Sequence, residues 1–222
     1  VTPYYDEDGI TIYHGDCRDV LPTLDPVDLL LTDPPYGKAE RTSRRTNGRS
    51  ALALANDFAP IVGDDGPFDP GHLLHYKRVI LFGANYYARQ LPDSASWIIW
   101  DKLDGLVSKR EIGFNDNADV EMAWSNLGGP ARLIPHRWMG ILKASERAER
   151  RVHPTQKPVA LMGELIRLFC PAAGTVLDPY AGCGSTLIGA REQGRRAIGV
   201  EIEERYCEVA VNRLAQRVLE SA

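Results

Sequence analysis

The sequence predicts an α/β fold on a mainly parallel sheet, and three observations carry that prediction. Short β-rich runs alternate with longer stretches of helical periodicity. Several of those runs end directly in Gly, Asp or Pro, as strands do when they hand over to ligand-binding loops. One run, Asp28–Thr32, is apolar through its middle, as in a buried strand.

In order, the expected strands are Ile10–Tyr13, Asp28–Thr32, Val79–Phe82, Trp97–Trp100, Val120–Trp124, Thr175–Leu177 and Ala197–Val200. Lys157–Cys170 reads as an amphipathic helix, with Val159, Met162, Ile166 and Phe169 at helical spacing and Pro171 closing it. Ser185–Gln193 and Glu203–Glu220 are two further helices. Two stretches break the alternation. Residues 37–58 are rich in Arg, Ser, Thr and Asn without any period, and read as a mobile basic loop. Residues 126–152 carry Gly-Gly-Pro and many basic side chains, and read as a small compact insertion. At 222 residues the chain fits a single domain, 1–222, that includes both.

Composition narrows the function classes. The sequence is 44% hydrophobic and 25% charged, which suits a water-soluble globular protein. No apolar run approaches the ~20 residues of a membrane span, and the polar, acidic start Val1–Gly9 predicts no signal peptide. Cys17, Cys170, Cys183 and Cys207 are far apart with no CxxC pair, so neither a disulfide framework nor a metal site is expected, and a reducing cytoplasm is. The net charge of −4 is unevenly spread. Lys38, Arg41, Arg44, Arg45 and Arg49 against Glu40 give one segment of net +4. Arg132, Arg137, Lys143, Arg147, Arg150 and Arg151 against Glu146 and Glu149 give another, leaving −12 on the rest. One such run alone is a solvated face; two beside a nucleotide-type site point to phosphate contact.

The segment Thr175-Val-Leu-Asp-Pro-Tyr-Ala-Gly-Cys-Gly-Ser-Thr186 is a strand, a glycine turn and a helix start. Gly182 and Gly184 let the backbone approach a ligand, and Ser185 or Thr186 can cap the helix. The next strand ends in Glu201, 23 residues after Asp178, where an acid can accept hydrogen bonds from ribose hydroxyls. Leu187 stands where a third glycine of the dinucleotide fingerprint belongs, and no Gly-Lys-Ser/Thr occurs. The site is therefore built for a ribose without a pyrophosphate, which favours S-adenosylmethionine.

At the other end, the apolar strand runs straight into Asp33-Pro-Pro-Tyr36. Pro34 and Pro35 fix two φ angles and remove two N–H groups, leaving a stiff turn with free carbonyls. The exocyclic amine of adenine or cytosine is a poor nucleophile, because its lone pair is delocalised into the ring. A carboxylate (Asp33) and a proline carbonyl on its two N–H bonds favour a pyramidal nitrogen, and the ring of Tyr36 can stack on an extruded base.

This set of motifs resembles the amino-methyltransferases of DNA in their beta permutation, with the catalytic motif first and the cofactor motif near the C-terminus. Asp33-Pro-Pro-Tyr36 is similar to the catalytic motif, and Asp178-Pro-Tyr-Ala-Gly-Cys-Gly-Ser-Thr186 with Glu201 to the cofactor loop and ribose acid. His153-Pro-Thr-Gln-Lys-Pro158 looks like the cofactor-contacting segment, and His14-Gly-Asp16-Cys17 like the segment near the cofactor adenine. Phe82-Gly83-Ala-Asn85 and Trp100-Asp-Lys102 look like further landmarks. Tyr180 and Ser185 stand where the family more often has Phe and Thr.

The resemblance implies a Rossmann-like methyltransferase fold of seven strands, one antiparallel, with helices on both faces. It makes Asp33, Pro34, Pro35 and Tyr36 catalytic. It gives the cofactor Asp16, Cys17, His153, Thr155, Gln156, Lys157, Asp178, Pro179, Tyr180, Gly182, Gly184, Ser185, Thr186 and Glu201. Double-stranded DNA falls to Lys38, Arg41, Arg44, Arg45, Arg49, Arg132, Arg137 and Lys143, with 126–152 as target-recognition segment. Asp33 at the head of the motif favours adenine N6 over cytosine N4; RNA methylation and a silent nucleic-acid-binding homologue are the other readings. The resemblance is also compatible with a homodimer and with a cognate restriction endonuclease.

Overall fold

The computed structural model describes residues 1–37, 60–105, 118–139, 142–146 and 152–221. The elements in chain order are β1 (Tyr5–Glu7), β2 (Ile10–His14), α1 (Cys17–Val20), β3 (Leu29–Thr32), β4 (Val79–Phe82), β5 (Trp97–Asp101), β6 (Val120–Ser125), β7 (Arg132–Pro135), β8 (Trp138–Met139), β9 (Leu142–Lys143), α2 (Val159–Phe169), β10 (Thr175–Asp178), α3 (Ser185–Glu192), β11 (Arg196–Glu201) and α4 (Glu204–Ser221). Every strand and helix expected from the sequence is present to within one or two residues.

Nine strands form one sheet in the order β1-β2-β11-β10-β3-β4-β6-β5-β7. β1 and β6 run antiparallel to their neighbours, and the other pairings are parallel. The expected seven strands with one reversed form the middle, from β2 to β5. Each edge carries one strand more. Asp8 and Gly9 both adopt positive φ, 52° and 76°, and this two-residue turn folds Tyr5–Glu7 back onto β2. At the other edge Arg132–Pro135, inside the expected insertion, pairs in parallel with β5. β8 and β9 form a separate two-stranded ribbon.

The central strands are buried on both faces, and alternate residues feed two cores. Leu29, Leu31, Ile80, Phe82 and Val176 join one cluster with α2, α3 and α4. Leu30, Val79, Leu81 and Leu177 join the other, with Phe68 and Leu73. Each such leucine contributes about 1.5–3 kcal/mol relative to exposure. Among the described residues, the long helices α2, α3 and α4 cover the first face. On the second, the helical cover among the described residues is the single turn α1 and short 3₁₀ turns such as Gly71–Leu73.

Helix α2 starts at Pro158, which has no side chain able to cap it. Glu146 caps it from outside: its carboxylate accepts from the Val159 N–H at 2.9 Å. The same carboxylate pairs with Arg213 at 3.4 Å and Arg217 at 3.8 Å on α4.

Candidate active site

The carboxyl ends of β11, β10, β3 and β4 lie side by side along one edge of the sheet. From β10 the chain crosses through α3 to β11 on one side, while β3 leads to β4 on the other. The strand order reverses between β10 and β3, and such a switch point opens a crevice for ligands. A cleft of about 800 Å³, counting its open mouth, lies there. Its walls include Asp33, Pro34, Pro35, Tyr36, His153, Thr155, Gln156, Lys157, Asp178, Tyr180, Gly182, Ser185, Thr186 and Glu201. The two halves legible in the sequence thus meet in one cavity. Asp16, Cys17, Pro179 and Gly184 stand outside its walls. The Asp16 carboxylate caps α1 through the Arg18 N–H at 2.8 Å, and Cys17 is buried against His72.

On the cofactor side, Gly182 and Gly184 both take positive φ, 50° and 78°, and a Cβ on Gly184 would sit 2.8 Å from that of Ala210. The turn therefore closes directly over α4. Arg213, buried on α4, donates to the Cys183 carbonyl at 2.7 Å and fixes the middle of the turn. Glu201 is buried, and its two oxygens accept from the Gly182 and Glu203 N–H groups at 2.8 and 2.9 Å. Each oxygen keeps a lone pair for a hydroxyl donor. Burial raises the Glu201 pKa above its ordinary value, with the two N–H groups opposing. Asp178, at the end of β10, accepts from Thr32 Oγ1 at 2.6 Å and from the Tyr180 N–H at 3.2 Å. Burial pushes its pKa up to about 6 against those hydrogen bonds.

On the catalytic side, β3 delivers Asp33 to the cleft. Its Oδ1 accepts from the Tyr36 hydroxyl and its Oδ2 from the Lys157 ammonium. Burial raises the Asp33 pKa; Lys157 opposes this and Glu121 adds to it. Beyond the two prolines, the Tyr36 and Gly37 N–H groups both donate to Asp64 Oδ1, at 3.0 and 2.9 Å. Asp64 anchors the turn, and sequence reading missed it because Gly63-Asp-Asp-Gly66 looks like any surface turn. The ring of Tyr36 stacks on Tyr86 at 5.3 Å and 22°. Gly83 makes room for that ring: its φ is 66°, and a Cβ there would lie 1.9 Å from Tyr36 Cε1. His72, also missed, bonds the Tyr180 hydroxyl at 3.0 Å beneath the cleft.

His153 receives the Thr155 N–H at Nδ1, 3.2 Å away, and packs edge-on against Tyr206 at 4.4 Å. The Gln156 side chain accepts from the Val152 N–H at 3.0 Å. These residues order the segment before α2. Among the described residues, five carboxylates (Asp33, Asp64, Asp178, Glu201 and Glu203) line the cleft, while the one lysine there, Lys157, is held by Asp33 and Glu121. That donor set fits a cationic nucleoside with free ribose hydroxyls, the chemistry of S-adenosylmethionine, and would repel a pyrophosphate.

Among the expected DNA contacts, Lys38, Arg41, Arg44, Arg45 and Arg49 lie outside the described residues. Arg132 is exposed on β7. Arg137 lies 3.4 Å from Asp104, and the Lys143 ammonium sits 4.4 Å above the ring of Trp138. No group of side chains with metal-ligand potential occurs among the described residues, and no described helix is long and apolar enough to cross a membrane.

A cleft at the switch point, facing a rigid Asp-Pro-Pro-Tyr turn, is the arrangement that the resemblance to DNA amino-methyltransferases leads one to expect. Comparison with known proteins agrees. Residues 122–212 match the family model of the N6/N4 DNA methylases. The type II methyltransferase M.ScaI of Streptomyces caespitosus is 28% identical over 96% of this chain and 83% of its own length. Among solved structures, the M1.HpyAVI–SAM complex superposes with a TM-score of 0.55 at 22% identity, covering 92% of this chain and 98% of that one. The cytosine-N4-specific PvuII DNA methyltransferase gives 0.57 at 16%, covering 94% and 87%; at these identities both likenesses concern the fold. The chain thus matches the DNA methylase family model over residues 122–212 and is similar to a type II DNA methyltransferase over nearly its whole length.

Proposed function

We propose that this protein transfers a methyl group from S-adenosylmethionine to N6 of adenine in double-stranded DNA, on a base extruded from the helix. The observation that carries the reading is Asp33, a carboxylate with only 12% of its side chain exposed just past β3, sharing one cleft with Glu201 and Asp178. When bound, S-adenosylmethionine supplies an electrophilic methyl group. Glu201 accepts hydrogen bonds from its ribose, the Gly182–Gly184 turn lets the backbone approach it, and the segment His153–Lys157 closes one wall. Asp16 and Cys17, just past β2 and outside the cleft walls, are assigned to the adenine end by the family resemblance alone.

At the acceptor, Asp33 and the Pro34 carbonyl would take the two N–H bonds of the amino group, freeing the nitrogen lone pair to form the N–C bond as the methyl–sulfur bond breaks and leaves a thioether; the nitrogen then sheds one proton through Asp33 to solvent. A ring stack built on Tyr36 holds the base plane. The prolines and Asp64 keep the turn rigid, so positioning costs nothing at the moment of reaction. The basic segments around Arg44 and Arg137 supply phosphate contact. Adenine is favoured because Asp33 heads the motif, where cytosine-N4 enzymes mostly carry Ser, and because a carboxylate is the stronger acceptor for an N–H that gains charge.

Nucleoside mass spectrometry after incubating the protein with unmodified DNA and cofactor tests this. N6-methyladenine is expected. N4-methylcytosine alone would overturn the choice of base, label on RNA alone the choice of nucleic acid, and no methylated nucleoside the activity.

A further inference from the structure

Lys157 belongs by its motif to the cofactor segment, yet carboxylates engage its ammonium. Nζ donates to Asp33 Oδ2 and lies 3.2 Å from Glu121 Oε2. Glu121 Oε1 in turn accepts from Lys102 Nζ at 2.9 Å. Four alternating charges, Asp33, Lys157, Glu121 and Lys102, thus run from the catalytic turn past α2 to β6 and the end of β5, and their formal charges cancel. The Lys157 side chain is only 8% exposed, and its ammonium lies 5.5 Å from the Phe82 ring centre. A cation so buried is costly unless well paired, so its place calls for a role.

Resting on the reading of Asp33 as acceptor for the amino protons, we propose that Lys157, braced by Glu121 and Lys102, is a positioning residue that clamps the Asp33 carboxylate in place and in its ionised form. A protonated carboxyl would present an O–H where an acceptor is required. Burial and neighbouring anions push Asp33 toward that protonated form. The groups facing it are the Tyr36 hydroxyl on its own turn, Lys157 before α2, Glu121 on β6, Asp178 on β10 and Tyr87 after β4. Among the described residues facing it, Lys157 is the one cation. The ion pairs outweigh burial for Lys157 and Glu121, so the first stays protonated and the second ionised.

The two anchors of the clamp act on Asp33 with opposite sign. Lys157→Met keeps the length and removes the cation, so Asp33 should titrate higher by about one to three pH units. Glu121→Gln removes an anion, so Asp33 should titrate lower. Carbon-13 NMR of the ligand-free full chain, labelled at aspartate carboxyls, reads this directly, with the Asp33 signal assigned by its loss in Asp33→Asn. Residue resolution matters because Asp178 titrates at about 6. In single-turnover methylation of DNA, the acid limb of the rate should follow the NMR shift in each variant. Shifts of opposite sign support the clamp. Equal titration in all three proteins, or shifts of the same sign, would overturn it. Should Lys157→Met fail to fold, Lys157→Gln and Lys157→Arg take its place: a raised Asp33 titration in the first and a wild-type one in the second support the clamp, and any other pattern overturns it. A wild-type protein that leaves DNA unmethylated would refute the function, while the carboxyl titration still decides the clamp.

Discussion

Replacing Asp178 by asparagine should make the ligand-free protein more stable near neutral pH. Asp178 is 3% exposed, and its pKa is pushed up by burial from the ordinary 3.8 to about 6. In the unfolded chain it loses its proton near 3.8; in the fold it holds on until about 6. Between those values the folded state binds more protons, so stability falls as pH rises through the window and stays lost above it. The difference is roughly two pH units, or ~3 kcal/mol. Asparagine escapes that loss. Its oxygen still accepts from Thr32 Oγ1 and the Tyr180 N–H, and the Thr186 hydroxyl can turn to accept from its amide. In a chain of this size each kcal/mol moves Tm by about 2–4 °C. Thermal melts of both proteins at pH 7.5 and at pH 4 provide the test. The variant should melt several degrees higher at pH 7.5, and the gap should close at pH 4, where the wild-type carboxyl is also neutral. A variant that is less stable at pH 7.5, or a gap independent of pH, would refute the argument. If it holds, the native residue is kept at a cost in stability, as binding sites often are.

Glu201→Ala should weaken S-adenosylmethionine binding by about 1–3 kcal/mol, the cost of removing hydrogen bonds to a charged group, and titration calorimetry with unchanged affinity would remove Glu201 from the ribose. Gly83→Ala places a Cβ 1.9 Å from the Tyr36 ring at a φ of 66°; single-turnover methyl transfer should drop about 100-fold through displacement of that ring, with cofactor affinity intact, and a normal rate would show that Tyr36 does not position the base. Replacing Arg44 and Arg45 by alanine should make the dependence of DNA affinity on salt shallower by about 0.9 in log–log slope for each phosphate no longer neutralised; an unchanged slope would return that segment to solvent.

Much of the site was legible because its chemistry is local. Asp33-Pro-Pro-Tyr36 is stiff by its own covalent structure, and Gly182 and Gly184 mark a turn that needs positive φ whatever surrounds it. The Asp8-Gly9 turn that folds β1 onto β2 is equally local, yet sequence reading missed that edge strand and took Val1–Gly9 as a polar start alone. The supporting residues carried no such mark. Asp64 lies 28 residues from the Tyr36 N–H it accepts, and Glu121 is an ordinary strand acid until Lys157 is brought to it.

The sequence by itself determined the alternation of strands and helices, the two turns at Asp33–Tyr36 and Gly182–Gly184, and the place of Glu201 at the end of a strand. Each of these follows from periodicity or from backbone restrictions acting within a few residues. Only the tertiary structure decided that Asp33 and Asp178 share a cleft, because β10 and β3 became neighbours at the point where strand order reverses. It also decided the partners of buried charge. Lys157 reads as a cofactor contact in its motif and stands against Asp33 in the fold; Glu146 reads as a stray acid in a basic segment, yet it caps α2 and pairs with Arg213. A charge taken out of water must find its complement wherever the chain brings one within reach, and that distance is set by the whole fold rather than by spacing along the sequence.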